Sequence, residues 1–292
     1  MVLLGVLLAL ASAFATNVGF LLRHRGAVRA PRVTARHPVR SAVGLFRSKW
    51  WTIGYGVAFV AYALHVGALA VASLSIVQAV LAGGLVLLGV VAERWFGFHL
   101  GRREWTGVAL TAAGLAFLAL TGGGRSGQAS AEYSVAAMLA FESVLVGVGT
   151  ALILLHRATR SPDRHGVMLG VAAGLLFTVT HVAVKALTGA LDRSVGAIVF
   201  SPYLLLAITA AIAAFFASAR SLQVGEAVAV IAVTSIASNA SAIPAGVVVF
   251  GDPLGDDAVT VTMRCLAFVL VVTAAALIPG PTRVTVPAAR TG

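Results

Sequence analysis

Residues 69–95 read LAVASLSIVQAVLAGGLVLLGVVAERW. From Leu74 to Val91, 18 residues run without a charge, all apolar or small except Gln78, and the run closes on Glu93, Arg94 and Trp95. An uncharged run of this length predicts a membrane-spanning helix with a polar, aromatic edge. A diverged copy follows at residues 222–253, LQVGEAVAVIAVTSIASNASAIPAGVVVFGDP. Laying Leu69 on Leu222 pairs Val71 with Val224, Val77 with Val230, Ala79 with Ala232 and Val80 with Val233. With a six-residue gap, Val91-Ala92-Glu93 then falls on Phe250-Gly251-Asp252.

The rest of the chain has the same character. Of its 292 residues, 59% are hydrophobic and 11% charged, where a soluble domain carries about 25% charged residues. The apolar runs are continuous and do not alternate, so they predict helices in lipid and not a barrel. One polytopic domain over residues 1–292 is expected. Its spans are Val2–Leu22, Trp51–Leu69, Leu74–Val91, Trp105–Thr121, Tyr133–Leu155, Gly166–Gly189, Val195–Ala217, Val224–Val249 and Val259–Ile278. The Ala11-Ser12-Ala13 string looks like a signal-cleavage site, but no basic stretch precedes it, so the first apolar segment is read as an uncleaved span.

The net charge of +11 sits in loops between spans and sets orientation, so it does not point to nucleic acid. The segment 23–49 carries Arg23, Arg25, Arg29, Arg32, Arg36, Arg40, Arg47 and Lys49 without an acid. It is read as a cytoplasmic loop that fixes topology, with anionic-lipid binding as the functional alternative. Pro31 and Pro38 argue against a long helix there. Alternating from this loop gives nine spans, with the N-terminus outside and the C-terminus in the cytoplasm. Seventeen of the 21 basic residues and all four Trp then fall on the inner side.

Residues 69–95 and 222–253 run in opposite senses in this arrangement. So do the first and sixth spans, where Phe14 pairs with Phe177, Gly26 with Gly189 and Ala27 with Ala190. The expectation is an inverted repeat of five helices plus four, with halves at about residues 1–155 and 166–280, and a substrate site between them near the midplane.

On these residues the chain resembles the EamA-like drug/metabolite transporter superfamily, and more closely the NIPA-type magnesium transporter family within it. The resemblance rests on Gly19-Phe20-Leu21-Leu22-Arg23-His24-Arg25-Gly26, Trp50-Trp51, Ala70-Val71-Ala72-Ser73-Leu74 leading to Glu93-Arg94, Val184-Lys185-Ala186-Leu187, and Ser221-Leu222 leading to Phe250-Gly251-Asp252-Pro253. The chain departs from the family where Gln78-Ala79 stand in a region that often carries proline. The resemblance implies a transporter, and the inverted repeat with its buried polar groups points to alternating access in the cell membrane. Transported Mg2+ is its family-based substrate, and no bound cofactor is implied.

Ionisable groups inside a span are costly and are therefore functional candidates. Glu142 is the one carboxylate deep in a predicted span, and it is the candidate for binding a cation or carrying a proton. His65, His181, Lys185 and Gln78 fall in the outer halves of their spans. His181 and Lys185 share a helix face at i and i+4. These groups can line an outward-opening vestibule, or be packed polar groups with Lys185 reaching for the interface. Asn17 and Asn239 are read as pathway candidates whose simpler role is interhelical hydrogen bonding. Gly83-Gly84, Gly89, Gly170 and Gly174 are read as sites of close helix approach. Arg264 is expected to reach outward or to meet Asp252, Asp256 or Asp257. The single Cys265 excludes an intrachain disulfide and a Cys-based metal site. No nucleotide-binding loop, catalytic triad or metal-ligand spacing appears, so an enzyme is not expected. Two alternatives stay open: a proton-coupled exporter of a small metabolite, and a non-transporting membrane scaffold recruiting lipid or protein through residues 23–49.

Overall fold

The computed structural model describes residues 2–34, 36–71, 74–97, 100–121, 134–155, 162–188, 201–251 and 257–275. Among these residues the chain is all α, with no strand. The described residues form ten helices, α1 (Val2–Arg29), α2 (Pro38–Phe46), α3 (Lys49–Val71), α4 (Leu74–Phe96), α5 (Arg102–Thr121), α6 (Val135–Leu155), α7 (Pro162–Thr188), α8 (Pro202–Val224), α9 (Ala227–Phe250) and α10 (Ala258–Ala275). Five stretches among the described residues are long and apolar enough to cross a membrane: Leu3–Arg29, Val135–Leu155, Arg164–Val184, Pro202–Val224 and Ala227–Phe250. Large apolar side chains such as Leu3, Leu7, Phe59, Tyr62, Val144, Leu205 and Ile212 lie exposed on the outside of the bundle. Water would penalise that much apolar surface, whereas lipid accepts it.

The boundaries depart most from the sequence expectation in three places. Helix α1 continues through Arg29, past the expected end at Leu22, because Leu21 and Ala27 are buried in the main core. The segment 23–49 is thus not wholly a loop. Arg23 sits in α1 with its guanidinium 3.9 Å from the Phe20 ring centroid and 5.0 Å from that of Tyr55. After the Pro31 break a short helix, α2, starts with Pro38 in its first turn, where a missing N–H costs nothing. Helix α8 lies downstream of the expected Val195–Ala217. It opens on Ser201, whose side chain accepts a hydrogen bond from the Tyr203 amide, with Pro202 following, and it runs past Arg220 to Val224. The expectations placed on Val195–Phe200, Asp252, Asp256 and Ile278 lie outside the described residues.

Packing falls into two sets. Helix α1 packs on α3 and α4, and α4 on α5. Helix α7 packs on α8 and α9, and α6 joins α7 and α9. Further contacts link α5 with α10 and α1 with α8. Two close crossings explain the glycines. A Cβ at Gly26 would overlap the Trp51 backbone, and one at Gly54 would lie 2.8 Å from the Gly19 carbonyl oxygen, so α1 and α3 touch backbone to backbone. A Cβ at Gly174 would overlap the Thr234 carbonyl and lie 2.8 Å from the Ala237 Cβ. Gly84 and Gly89 are crowded by Ala13 and Trp105, while Gly83 has nothing within 4 Å.

The cores are unevenly placed. The largest gathers Leu21, Trp51, Leu88, Val108, Leu222 and Ile231, which lie toward the ends of their helices nearest the basic segment, extends to mid-helix residues such as Ala112 and Ala267, and joins both sets. Toward the other end, each set has its own small core among the described residues. Ala9 and Ala68 form one. Met138, Val182, Ala186, Ala207, Ala245 and Val249 belong to the other.

Candidate functional site

Helix α6 buries one stripe, Met138, Glu142, Leu145 and Gly149. This i, i+4, i+7, i+11 spacing is the buried face of an otherwise lipid-compatible helix. Glu142 is 3% exposed, and neither carboxylate oxygen has a hydrogen-bond partner among the described residues. Its surroundings follow from its neighbours on the stripe. Met138, one turn before, packs with α7, α8 and α9 through Val182, Ala183, Ala207 and Ala245. Leu145, less than a turn after, packs with Val179 and Ala210. The carboxyl thus sits at an apolar junction of α6 with α7 and α9. Helix α9 contains Pro244, which removes the amide that would otherwise hold the Ala240 carbonyl.

The other sequence candidates separate. Asn17 is 7% exposed and donates its side-chain amide to the Gly84 carbonyl at 2.6 Å, tying α1 to α4. Among the described residues Asn239 makes no interhelical hydrogen bond. It is exposed and donates back to Ser235 on its own helix at 2.8 Å. The tie from α9 to α7 is made by Ser241 and Thr178, whose hydroxyls are 2.8 Å apart, with Thr178 also donating to the Ser238 carbonyl at 3.0 Å. His65 on α3 is half-buried, and its Nδ1 is buried without a partner among the described residues. His181 is exposed, on the side of α7 away from the buried Val179, Val182 and Ala183. Glu142 and His181 therefore do not face one junction. Lys185 and Gln78 lie on α7 and α4, and their side chains are outside the described residues. Asp257 is exposed and accepts from the Thr260 amide at 3.4 Å, which with the Thr260 side chain holds its carboxyl below the usual range.

One residue without a sequence signal closes the basic end. The Gln223 amide donates to the Ala27 and Pro31 carbonyls at 3.1 and 2.9 Å, and its oxygen accepts from the Val33 amide and Arg220 Nη1 at 3.0 and 3.2 Å. Nearby, the Trp51 and Phe215 rings meet edge to face at 6.0 Å, joining α3 to α8. Among the described residues no three His, Cys, Asp or Glu side chains converge.

Comparison with known proteins agrees with this helical, membrane-compatible architecture. The model of the family described as Magnesium transporter NIPA matches residues 1–283. The chain is 23% identical over 258 residues to the probable magnesium transporter NIPA9 of Arabidopsis thaliana, a match covering 85% of this chain and 74% of that one. It is 30% identical over 186 residues to an uncharacterized protein of Corynebacterium glutamicum, covering 63% of this chain and 62% of the other. No solved structure matches the chain.

Proposed function

The chain belongs to the NIPA family of magnesium transporters and is a multi-pass membrane protein, and from that premise we propose that it carries Mg2+ across the cell membrane by alternating access. The observation that carries the proposal is Glu142, a carboxylate in an apolar junction with both oxygens unpartnered among the described residues. An ionised carboxylate left alone in such a place is costly. A group retained there has a use for a positive partner, either a cation in transit or a proton. Mg2+ prefers oxygen ligands and keeps several waters. Glu142 with waters is the start of a set of that kind, and it does not need a cluster of acids.

The proposed topology has nine spans, α1 and α3 to α10, with the N-terminus outside and the C-terminus cytoplasmic. The repeat halves are residues 1–155 and 166–280, the second inverted. Two facts support this reading. Helix α3 ends at Val71 and α8 at Val224, which are aligned residues, and α4 and α9 begin three positions later in each copy. The first helix of each half, α1 and α7, also packs on the next two spans of its own half.

Alternating access is supported by the uneven cores. The basic ends share one continuous core, the Gln223 bonds and the Trp51–Phe215 contact, while the opposite ends have separate cores. That is the asymmetry expected of an outward-facing state in which the inner gate is shut.

Uptake of Mg2+ by purified protein in liposomes tests the proposal. Wild-type flux that falls at least tenfold in Glu142→Gln supports it, and the absence of Mg2+ flux with wild-type protein overturns the substrate. A proton-coupled metabolite exporter is the second reading. It is favoured by the lone carboxylate, which suits one proton better than a many-liganded metal. Proton movement driven by an outward metabolite gradient, lost in the same variant, would replace the first reading with this one.

A further inference from the structure

Helix α2 is held to the bundle by one face. Ser41 and Leu45 are buried, and the Ser41 hydroxyl both accepts from the Thr34 amide at 3.1 Å and donates to the Thr34 carbonyl at 3.2 Å. Its other face is left open. Val39 is 76% exposed and Val43 48%. They stand one turn apart, so they form an apolar stripe that the protein itself does not cover.

Between this face and the Pro31 turn lies an open cavity of about 720 Å³. Val39, Val43 and Pro31 form part of its wall, and Arg36, Arg40 and Arg47 line the same space. The N-cap residue His37 makes no side-chain hydrogen bond to the first turn, which leaves the positive end of α2 available to an anion. The surrounding segment, residues 23–49, holds eight basic residues and no acid.

Guanidinium groups match a phosphate group through paired N–H donors. A free phosphate or a nucleic-acid backbone has no use for the exposed valines beside them. A phospholipid satisfies both, because its phosphodiester meets the arginines while the start of its acyl chains covers the valines. We propose that this cavity binds the headgroup of an anionic glycerophospholipid from the leaflet at the basic end of the bundle. The site seats α2 against the membrane surface. The proposal needs that end to be interfacial, and it is independent of which substrate is carried.

The test uses the full-length protein in phosphatidylcholine nanodiscs doped with photoactivatable phosphatidylglycerol or phosphatidylcholine. The phosphatidylglycerol probe should label peptides spanning residues 36–47 about tenfold more than the phosphatidylcholine probe, the scale of one or two surface arginines. Unlabelled phosphatidylglycerol should compete, and inorganic phosphate should not. The variant carrying Arg36→Gln, Arg40→Gln and Arg47→Gln should drop to the phosphatidylcholine level while Val39→Ser with Val43→Ser weakens labelling by both probes. Equal labelling of wild-type protein by the two lipids overturns the proposal. So does suppression by inorganic phosphate, which would assign the arginines to a soluble anion. Both of these outcomes are read on the wild type, so the decision stands even if the triple variant does not insert.

Discussion

The side-chain oxygen of Gln223 accepts a hydrogen bond from the Val33 amide at 3.0 Å, joining the last turn of α8 to the chain leaving α1. The amide nitrogen of Gln223 satisfies the Ala27 and Pro31 carbonyls at the same place. Helix ends leave such carbonyls without intrahelical partners, so one glutamine caps α1 and fastens the two helix sets at once. Gln223→Ala leaves the partly buried Val33 N–H without its partner, a loss of about 1–3 kcal/mol. The expected result is a lower melting temperature in detergent, with faster modification of a cysteine introduced at Ala219. An unchanged labelling rate with unchanged melting would remove Gln223 from the gate.

Two glycines that look alike in sequence should respond in opposite ways. A side chain at Gly174 meets the α9 backbone, with Ser238 N at 3.0 Å and the Ala237 Cβ at 2.8 Å. Gly174→Val forces α7 from α9 and should cost about 1–3 kcal/mol. A Cβ at Gly83 would meet nothing within 4 Å, so Gly83→Ala should be neutral or gain up to about 1 kcal/mol in helix propensity. Thermal unfolding of the two variants side by side distinguishes them. Equal loss in both would mean that α4 packs more tightly than the geometry indicates.

The topology makes a prediction of its own. The single native cysteine, Cys265, is exposed on α10, so the background for labelling is Cys265→Ser. In that background, cysteines at Ser134 and Arg164 bracket α6 and should react from opposite sides of the membrane in oriented vesicles. A cysteine at Arg40 should react from the same side as the one at Arg164. Reaction of Arg40→Cys and Arg164→Cys from opposite faces would break the nine-span order.

The helices were legible because span length is a physical requirement of the bilayer, and residues 74–91 could hardly do anything else. Their ends were less legible. The apolar run before Arg220 continues across residues 195–219, so hydropathy alone could not locate the start of α8, which depends on the Ser201-Pro202 cap. Nor did hydropathy indicate α2, because Pro31 and Pro38 read only as a break. For the site, Glu142 stood out as one carboxylate in an apolar helix. The choice between Asn239 and Ser241 as the α9 tie turns on helix rotation, which a polar residue in an Ala/Val-rich stretch does not reveal. Gln223 was invisible because three of its four bonds go to backbone groups of Ala27, Pro31 and Val33, brought close only by the packing of α1 on α8.

Glu142 yields the most discriminating prediction, because stability and transport should move in opposite directions. Met138 and Leu145 place it in apolar surroundings, and both of its oxygens lack partners among the described residues. Replacing buried ionic groups by apolar residues of similar volume is often neutral or stabilising by about 1–4 kcal/mol. Glu142→Leu is therefore expected to melt at or above the wild-type temperature without added Mg2+, while carrying no ion. Wild-type protein should be stabilised further by Mg2+, since a ligand that binds only the folded state raises its stability, and the variant should show no such increment. If Glu142→Leu instead unfolds readily and the Mg2+ increment persists in Glu142→Gln, the carboxyl is a structural contact, and the ion path must be sought at another helix junction.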